Sequence, residues 1–210
     1  MSEVPKTSAS ATRSPEGATI RLAGAADAAA VAAIYRPMVE STPITFELVP
    51  PNAAELVERI TVKVLPRYPW LVCYDGASCL GYAYATQFRA RKAYDWSVEV
   101  SVYVAALARR RGIARALYGA LFTLLRLQGF RRAIAGVTLP NPASVALHES
   151  LGFAFVGSFP RVGFKHGAWH DVGFFSLDLQ PDLLDPAPPR TLLELPEGAI
   201  ERALGLEPDR

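Results

Sequence analysis

Residues 96–104 constrain the fold more than any other stretch. Trp96, Val98, Val100, Val102 and Val104 fall on one face of an extended chain, and Glu99, Ser101 and Tyr103 fall on the other. Alternation held over this whole run predicts a β-strand with one buried face. The period then changes: Ile113, Leu117, Leu121 and Leu124 recur at helical spacing within residues 112–128, and Gly129 supplies a stop. Residues 105–111 join the two and end in Arg109, Arg110 and Arg111. A strand therefore feeds through a short basic loop into an amphipathic helix.

The flanking sequence extends this unit. Residues 19–22 read as a short strand, 25–40 as an alanine-rich helix that Pro37 kinks or closes early, and 53–65 as a second helix ending before Pro66. Prolines around Phe46 make residues 41–51 irregular, and 70–74 with 80–88 form a hairpin about Asp75 and Gly76. Further on, 133–139 is a strand and 141–151 a short helix with Asn141 as N-cap and Pro142 in its first turn; 153–159 and 172–179 complete the sheet. This order predicts an α+β fold on a mixed sheet. Residues 1–18 read as a disordered polar arm, 19–180 as the folded domain, and 181–210 as a proline-rich extension with a short helix near 197–206.

Composition excludes several classes. The 210 residues are 50% hydrophobic and 20% charged with a net charge of +2, so neither nucleic acid nor a membrane surface is an expected partner. No apolar run approaches the ~20 residues that span a bilayer, and no secretory leader is visible. A cytoplasmic protein is expected, with Cys73 and Cys79 as reduced thiols.

The basic loop is the first candidate site. A helix start offers unpaired N–H groups and the positive end of the dipole, which suit a pyrophosphate. Gly112 lets a ligand approach the backbone, Ala114 stays small, and the arginines can add charge-assisted hydrogen bonds. A solvated basic helix start would carry the same residues. The G-x-G-x-x-G spacing of a dinucleotide site is absent.

Arg109-x-x-Gly112-x-Ala114 after a strand resembles the acetyl-CoA loop of the GCN5-related N-acetyltransferases (GNATs), and Asn141-x-x-Ser144-x-x-Leu147-His148-x-x-x-Gly152-Phe153 resembles their second CoA-side motif. Residues 67–72, 90–96 and 165–174 are similar to the phosphinothricin N-acetyltransferase-like branch. The resemblance spans about residues 19–180. It implies a GNAT-type, mostly antiparallel central sheet with helices on both faces and a V-shaped split for acetyl-CoA. It also implies that Val102, Tyr103 and Val104 flank the pantetheine arm, that Arg109, Arg110, Arg111, Gly112, Ile113, Ala114 and Arg115 hold the pyrophosphate, and that Asn141 and Ser144 contact the cofactor.

Acetylating an amine needs a proton removed from the ammonium and the departing thiolate stabilised. Glu99, a carboxylate in mid-strand, is the leading base; an exposed sheet face would also explain it, and the resemblance favours function. His148 stands where many GNATs carry tyrosine, and its near-neutral pKa suits either acid or base duty. The choice of base stays open between the two. His166 and His170 flank a glycine-containing turn, and no metal is expected.

By the same resemblance Arg91 and Tyr94 serve an acceptor carboxylate or phosphinate, and Phe46 lines the acceptor pocket. Glu47 follows Phe46 where relatives typically carry arginine, which disfavours a doubly anionic acceptor. The expected activity is acetyl-CoA-dependent N-acetylation of a small amino-acid-like substrate: methionine sulfoximine, methionine sulfone or another amino acid at least as readily as phosphinothricin. The alternatives are an acetyltransferase for another small amine or a protein N-terminus, or a non-catalytic acetyl-CoA sensor. A homodimer is implied, with Trp169 and Phe174 at its interface.

Overall fold

The computed structural model describes residues 17–206; most of the expected N-terminal arm lies outside them. One sheet contains β1 (Thr19–Leu22), β2 (Trp70–Asp75), β3 (Ser78–Gln87), β4 (Ser97–Val104), β5 (Arg132–Leu139), β6 (Ala154–Lys165) and β7 (Ala168–Asp178), in the order β1-β2-β3-β4-β5-β7-β6. Every neighbouring pair is antiparallel except β4 and β5. Parallel neighbours need a crossover, and α3 (Ile113–Gln128) is that crossover. Its stripe of Ile113, Leu117, Leu121 and Leu124 is fully buried against the sheet, and Gly129 ends it in the left-handed conformation.

The parallel pairing is short. Ser97, Val98 and Glu99 lie against Arg132, Ala133 and Ile134, and there the register stops. Beyond it β4 continues against β3 and β5 against β7, so the sheet opens into a V with Glu99 at its apex.

The other helices cover both faces. Tyr35 of α1 (Ala28–Ser41) packs edge-on to Tyr103 at 5.0 Å, which puts α1 on the Glu99 face, opposite α3. Pro37 does not close α1, which continues to Ser41. Burial of Met38 and Val39, with a 2.7 Å bond from the Thr42 hydroxyl to the Met38 carbonyl, holds the last turn despite the missing N–H. α2 (Ala53–Glu58) starts in a reciprocal cap between Asn52 and Glu55, then widens into a π-helical turn over Arg59–Val64, where Leu65 N–H reaches back to the Ile60 carbonyl.

The last two strands are longer than the sequence predicts, forming one hairpin turned at His166 and Gly167. Pro160 and Gly163 mask this continuity in the sequence. Both are tolerated because β6 is an edge strand whose register shifts between Phe159 and Gly163. Cys73 and Cys79 are both free thiols, and burial pushes the Cys73 thiol up to about 11. Among the described residues no helix is long and apolar enough to cross a membrane.

Beyond Gln180 the chain lies back along the domain. Arg131 donates to the Pro181 carbonyl at 3.0 Å, Trp96 Nε1 to Ala187 at 2.9 Å, and Gln128 Nε2 to Arg190 at 2.8 Å, while Leu192 is 5% exposed. The short α5 (Ala199–Leu204) packs on α3. A net hydrogen bond contributes about 1 kcal/mol. A chain ending at Gln180 is therefore expected to melt roughly 5–10 °C lower by calorimetry; an unchanged melting temperature would mean that these contacts add nothing.

Candidate active site

The cleft follows from the split sheet. Val100, Ser101, Val102 and Tyr103 form one wall and residues 135–138 the other, enclosing a cavity of about 60 Å³. Tyr118 from α3, Asn141 and Ser144 from the start of α4 (Pro142–Ser150) and His148 from its last turn complete it. A wider groove of about 250 Å³ runs on past Val104 to Arg109, Ala114 and Leu147. Among the described residues the β5-facing edge of β4 beyond Glu99 has no strand partner, so its backbone groups are available to an extended polar ligand. Asn141 caps α4, its side chain accepting from the Ser144 N–H at 3.2 Å, and both residues line cavity and groove.

Arg110 at φ 61° and Gly112 at φ 79° are left-handed, a pattern that gathers backbone N–H groups into a concavity suited to anions. Gly112 adopts this freely, whereas Arg110 does so at a cost of about 1 kcal/mol. The first helical bond runs from Ala116 N–H to Gly112, so the amides of Ile113, Ala114 and Arg115 precede it. Two arginine side chains turn to protein partners instead: Arg111 to Asp75 at 3.5 Å and Arg115 to Ser150 at 2.7 Å. The Arg109 side chain lines the groove.

Two titratable groups are shifted in opposite senses. Glu99 is half-buried, and desolvation raises its pKa against the opposing charge of Arg89. It lies beside Gly136 of β5, where a β-carbon would stand 3.8 Å from its Oε1. His148 is 3% exposed, and burial lowers its pKa, partly offset by a hydrogen bond to Ser144. Because the Ser144 carbonyl can only accept, Nδ1 at 2.8 Å carries the proton, which leaves Nε2 to accept from the Tyr118 hydroxyl at 3.3 Å.

Residues 20–173 match the acetyltransferase (GNAT) domain family. The chain belongs to the GNAT acetyltransferases. It is 42% identical over 171 residues to a phosphinothricin N-acetyltransferase of Streptomyces viridochromogenes, covering 81% of this chain and 91% of the relative. It is 36% identical over 165 residues to an L-methionine sulfoximine/L-methionine sulfone acetyltransferase of Pseudomonas paraeruginosa, covering 78% and 96%. A solved GNAT superfamily phosphinothricin acetyltransferase from Sinorhizobium meliloti, in complex with acetyl-CoA, superposes with a TM-score of 0.72 at 37% identity, over 87% of this chain and 95% of that one. The protein is an N-acetyltransferase with the expected GNAT fold.

The acceptor-side residues of this GNAT are more dispersed. The Phe46 ring lies directly on Gly163 of β6, where a β-carbon would collide with it, and 6.3 Å from the His170 ring. Its loop is held by Lys165 Nζ donating to the Thr45 carbonyl at 2.7 Å, and by Tyr35 bonding Thr45 at 2.7 Å and Glu47 at 3.1 Å. Arg59 grips Glu47 through bonds of 2.6 and 3.1 Å, so Glu47 is not the isolated negative charge its sequence context implies. Arg91 and Tyr94 lie on the exposed β3–β4 connection, Tyr94 edge-on to Phe88 at 5.8 Å, and neither lines the cleft cavities.

Sequence reasoning missed Tyr118, Tyr35, Arg59 and Lys165. Only Tyr118 left a signal: a tyrosine beside the apolar stripe of a buried helix needs a partner for its hydroxyl.

The shifts predict how stability varies with pH. The raised Glu99 pKa contributes stability below its unfolded value that is lost as pH rises through the folded one, so Glu99→Gln is expected to melt higher than wild type at pH 7.5 and to lose that advantage by pH 4. His148 has the opposite sign: stability falls as pH drops below 6.5, where the unfolded chain takes up the proton. His148→Gln should flatten the decline in melting temperature between pH 7 and 5.5. Parallel melting curves for each variant and wild type would contradict both.

Proposed function

We propose that this GNAT transfers the acetyl group of acetyl-CoA to the α-amino group of a small amino-acid-like acceptor, of the class represented by methionine sulfoximine, methionine sulfone and phosphinothricin. One observation carries the reading: β4 leaves β5 at Glu99, so an open strand edge and a half-buried carboxylate meet at one point. The names of the relatives support the acceptor class.

The residues present fit acetyl-CoA. The left-handed turn at Arg110 and Gly112 and the free amides of Ile113, Ala114 and Arg115 suit its diphosphate, with Arg109 as an added cation. The free edge of Val102, Tyr103 and Val104 suits the amides of its pantetheine arm, beside Asn141 and Ser144. Acetyl-CoA brings the acyl group as an activated thioester.

In this reading Glu99 takes the proton from the acceptor ammonium, directly or through one water; its raised pKa makes it a better base than a solvated carboxylate. The freed amine forms the new C–N bond as the C–S bond breaks. Burial keeps Tyr118 protonated and His148 neutral. Tyr118 then stabilises the departing thiolate by swinging its single O–H from His148 Nε2 toward the sulfur, and the proton that the nitrogen sheds on becoming an amide passes through solvent to complete the thiol. Arg91 and Tyr94, on the connection leading into β4, serve the acceptor carboxylate, and Phe46 covers the acceptor. Glu99→Gln is expected to lower kcat/KM by roughly 10²-fold or more while leaving calorimetric acetyl-CoA binding within about twofold of wild type. Undiminished turnover would remove Glu99 from the mechanism, and absence of acetyl-CoA binding by the folded wild type would remove the function.

The outer hairpin supports self-association. Phe155, Phe159 and Phe164 are each more than half exposed and Trp169 is 61% exposed, while Phe174 is half-buried against Phe159. In our reading a second copy packs on this hairpin. Sedimentation should give a dimer, and Trp169→Glu with Phe164→Glu should give a folded monomer; a monomeric wild type at micromolar concentration would reject the assembly.

A further inference from the structure

A second cavity of about 460 Å³ opens on the Glu99 face, between the π-helical turn and strands β2 and β3. Its floor is the ring of Trp70 stacked on Tyr84 at 4.3 Å, and Thr86, Tyr68, Arg59 and Lys63 form its sides. Thr86 lies directly across from Glu99, and Tyr84 from Ser101, a wall of the cleft. Cross-strand partners project to the same face, so the cavity begins one strand away from the carboxylate at the apex of the V.

Two cations border this cavity, and both are neutralised. Lys63 pairs with Glu58 at 3.1 Å on its own helix, in an exposed contact of the kind solvent screens. Arg59 is held differently. Both of its terminal nitrogens are taken by the two oxygens of Glu47, a residue from a separate loop, and both side chains are about two-thirds buried. Tyr35 adds a further bond to the same carboxylate. A guanidinium whose charge is already balanced by this carboxylate attracts a second anion weakly, whereas one without its partner would present the planar fork that carboxylates and phosphinates fit.

We propose that this cavity receives the side chain of the acceptor, and that Glu47, by occupying Arg59, makes it selective for neutral side chains over those with a second negative charge. The proposal rests on the acceptor class inferred above. Glu47 and Arg59 are specificity determinants in this scheme and take no part in the transfer itself.

L-glutamine and L-glutamate, equal in shape and different in charge, are the probes. Each is titrated calorimetrically into the CoA-bound protein and assayed for acetylation with acetyl-CoA, using wild type, Glu47→Gln, and the double variant Glu47→Gln/Arg59→Gln, with a melting curve for each. Wild type should favour glutamine. Glu47→Gln should shift the glutamate-to-glutamine preference about tenfold toward glutamate, and the double variant should return it to near the wild-type value. An unmoved preference in Glu47→Gln, equal losses for both ligands, a shift that survives loss of Arg59, or binding of neither ligand to any of the three proteins would each overturn the proposal. The two readings fail separately. Normal wild-type turnover with an unmoved preference rejects only the Glu47–Arg59 role, whereas a shifted binding preference without turnover upholds that role and rejects acetyl transfer to this acceptor class.

Discussion

The structure depends on how briefly β4 and β5 stay together. Each strand has a second, longer antiparallel partner, β3 for β4 and β7 for β5, so neither needs the other to remain in the sheet. Parallel pairing is confined to residues Ser97–Glu99 of β4, and past that point the two half-sheets diverge. The divergence leaves backbone donors and acceptors of β4 facing a gap, where burial without a partner would be costly. A ligand carrying amides of its own resolves that cost. The same divergence sets Glu99 where the sheet is still closed on one side and open on the other, and this geometry produces the partial desolvation that makes the carboxylate more basic.

Around the gap, polar groups are held in defined states by few contacts. The Ser144 carbonyl selects the tautomer of His148, and that choice aims the Tyr118 hydroxyl at Nε2. The short α4 that carries His148 is in turn started by Asn141, which borders the groove running from the cleft. On the opposite face, the loop bearing Phe46 is irregular in backbone yet tied to three elements, through Tyr35 of α1, Arg59 of the π-helical turn and Lys165 of β6. An irregular segment becomes a fixed wall because its polar groups are satisfied from elsewhere in the fold.

Much of this was legible in the residues. The alternation from Trp96 to Val104, the stripe of α3 and the caps at Asn141 and Gly129 fixed element type and near-boundaries, because each is a local period or a local backbone requirement. Pro160 and Gly163 interrupt the local β pattern, yet an edge position overrides their preferences, so the last hairpin runs longer than its residues suggest. Of the expected site residues, Val102, Tyr103, Val104, Arg109, Ala114, Asn141, Ser144 and His148 line the cleft and its groove, while Arg91 and Tyr94 stay on an exposed connection. Arg59 and Lys165 could not be picked out, because their partners, Glu47 and Thr45, lie 12 and 120 residues away.

By itself, the sequence determined the repertoire: which segments are strands or helices, which loop offers amides to an anion, and which carboxylate sits in mid-strand. These follow from short-range sterics and periodicity, which the chain carries wherever it goes. Tertiary structure alone decided where β4 parts from β5, which nitrogen of His148 holds the proton, and that Glu47 meets Arg59. Those outcomes depend on distances between elements and on local dielectric, and both come into existence only once the elements have packed.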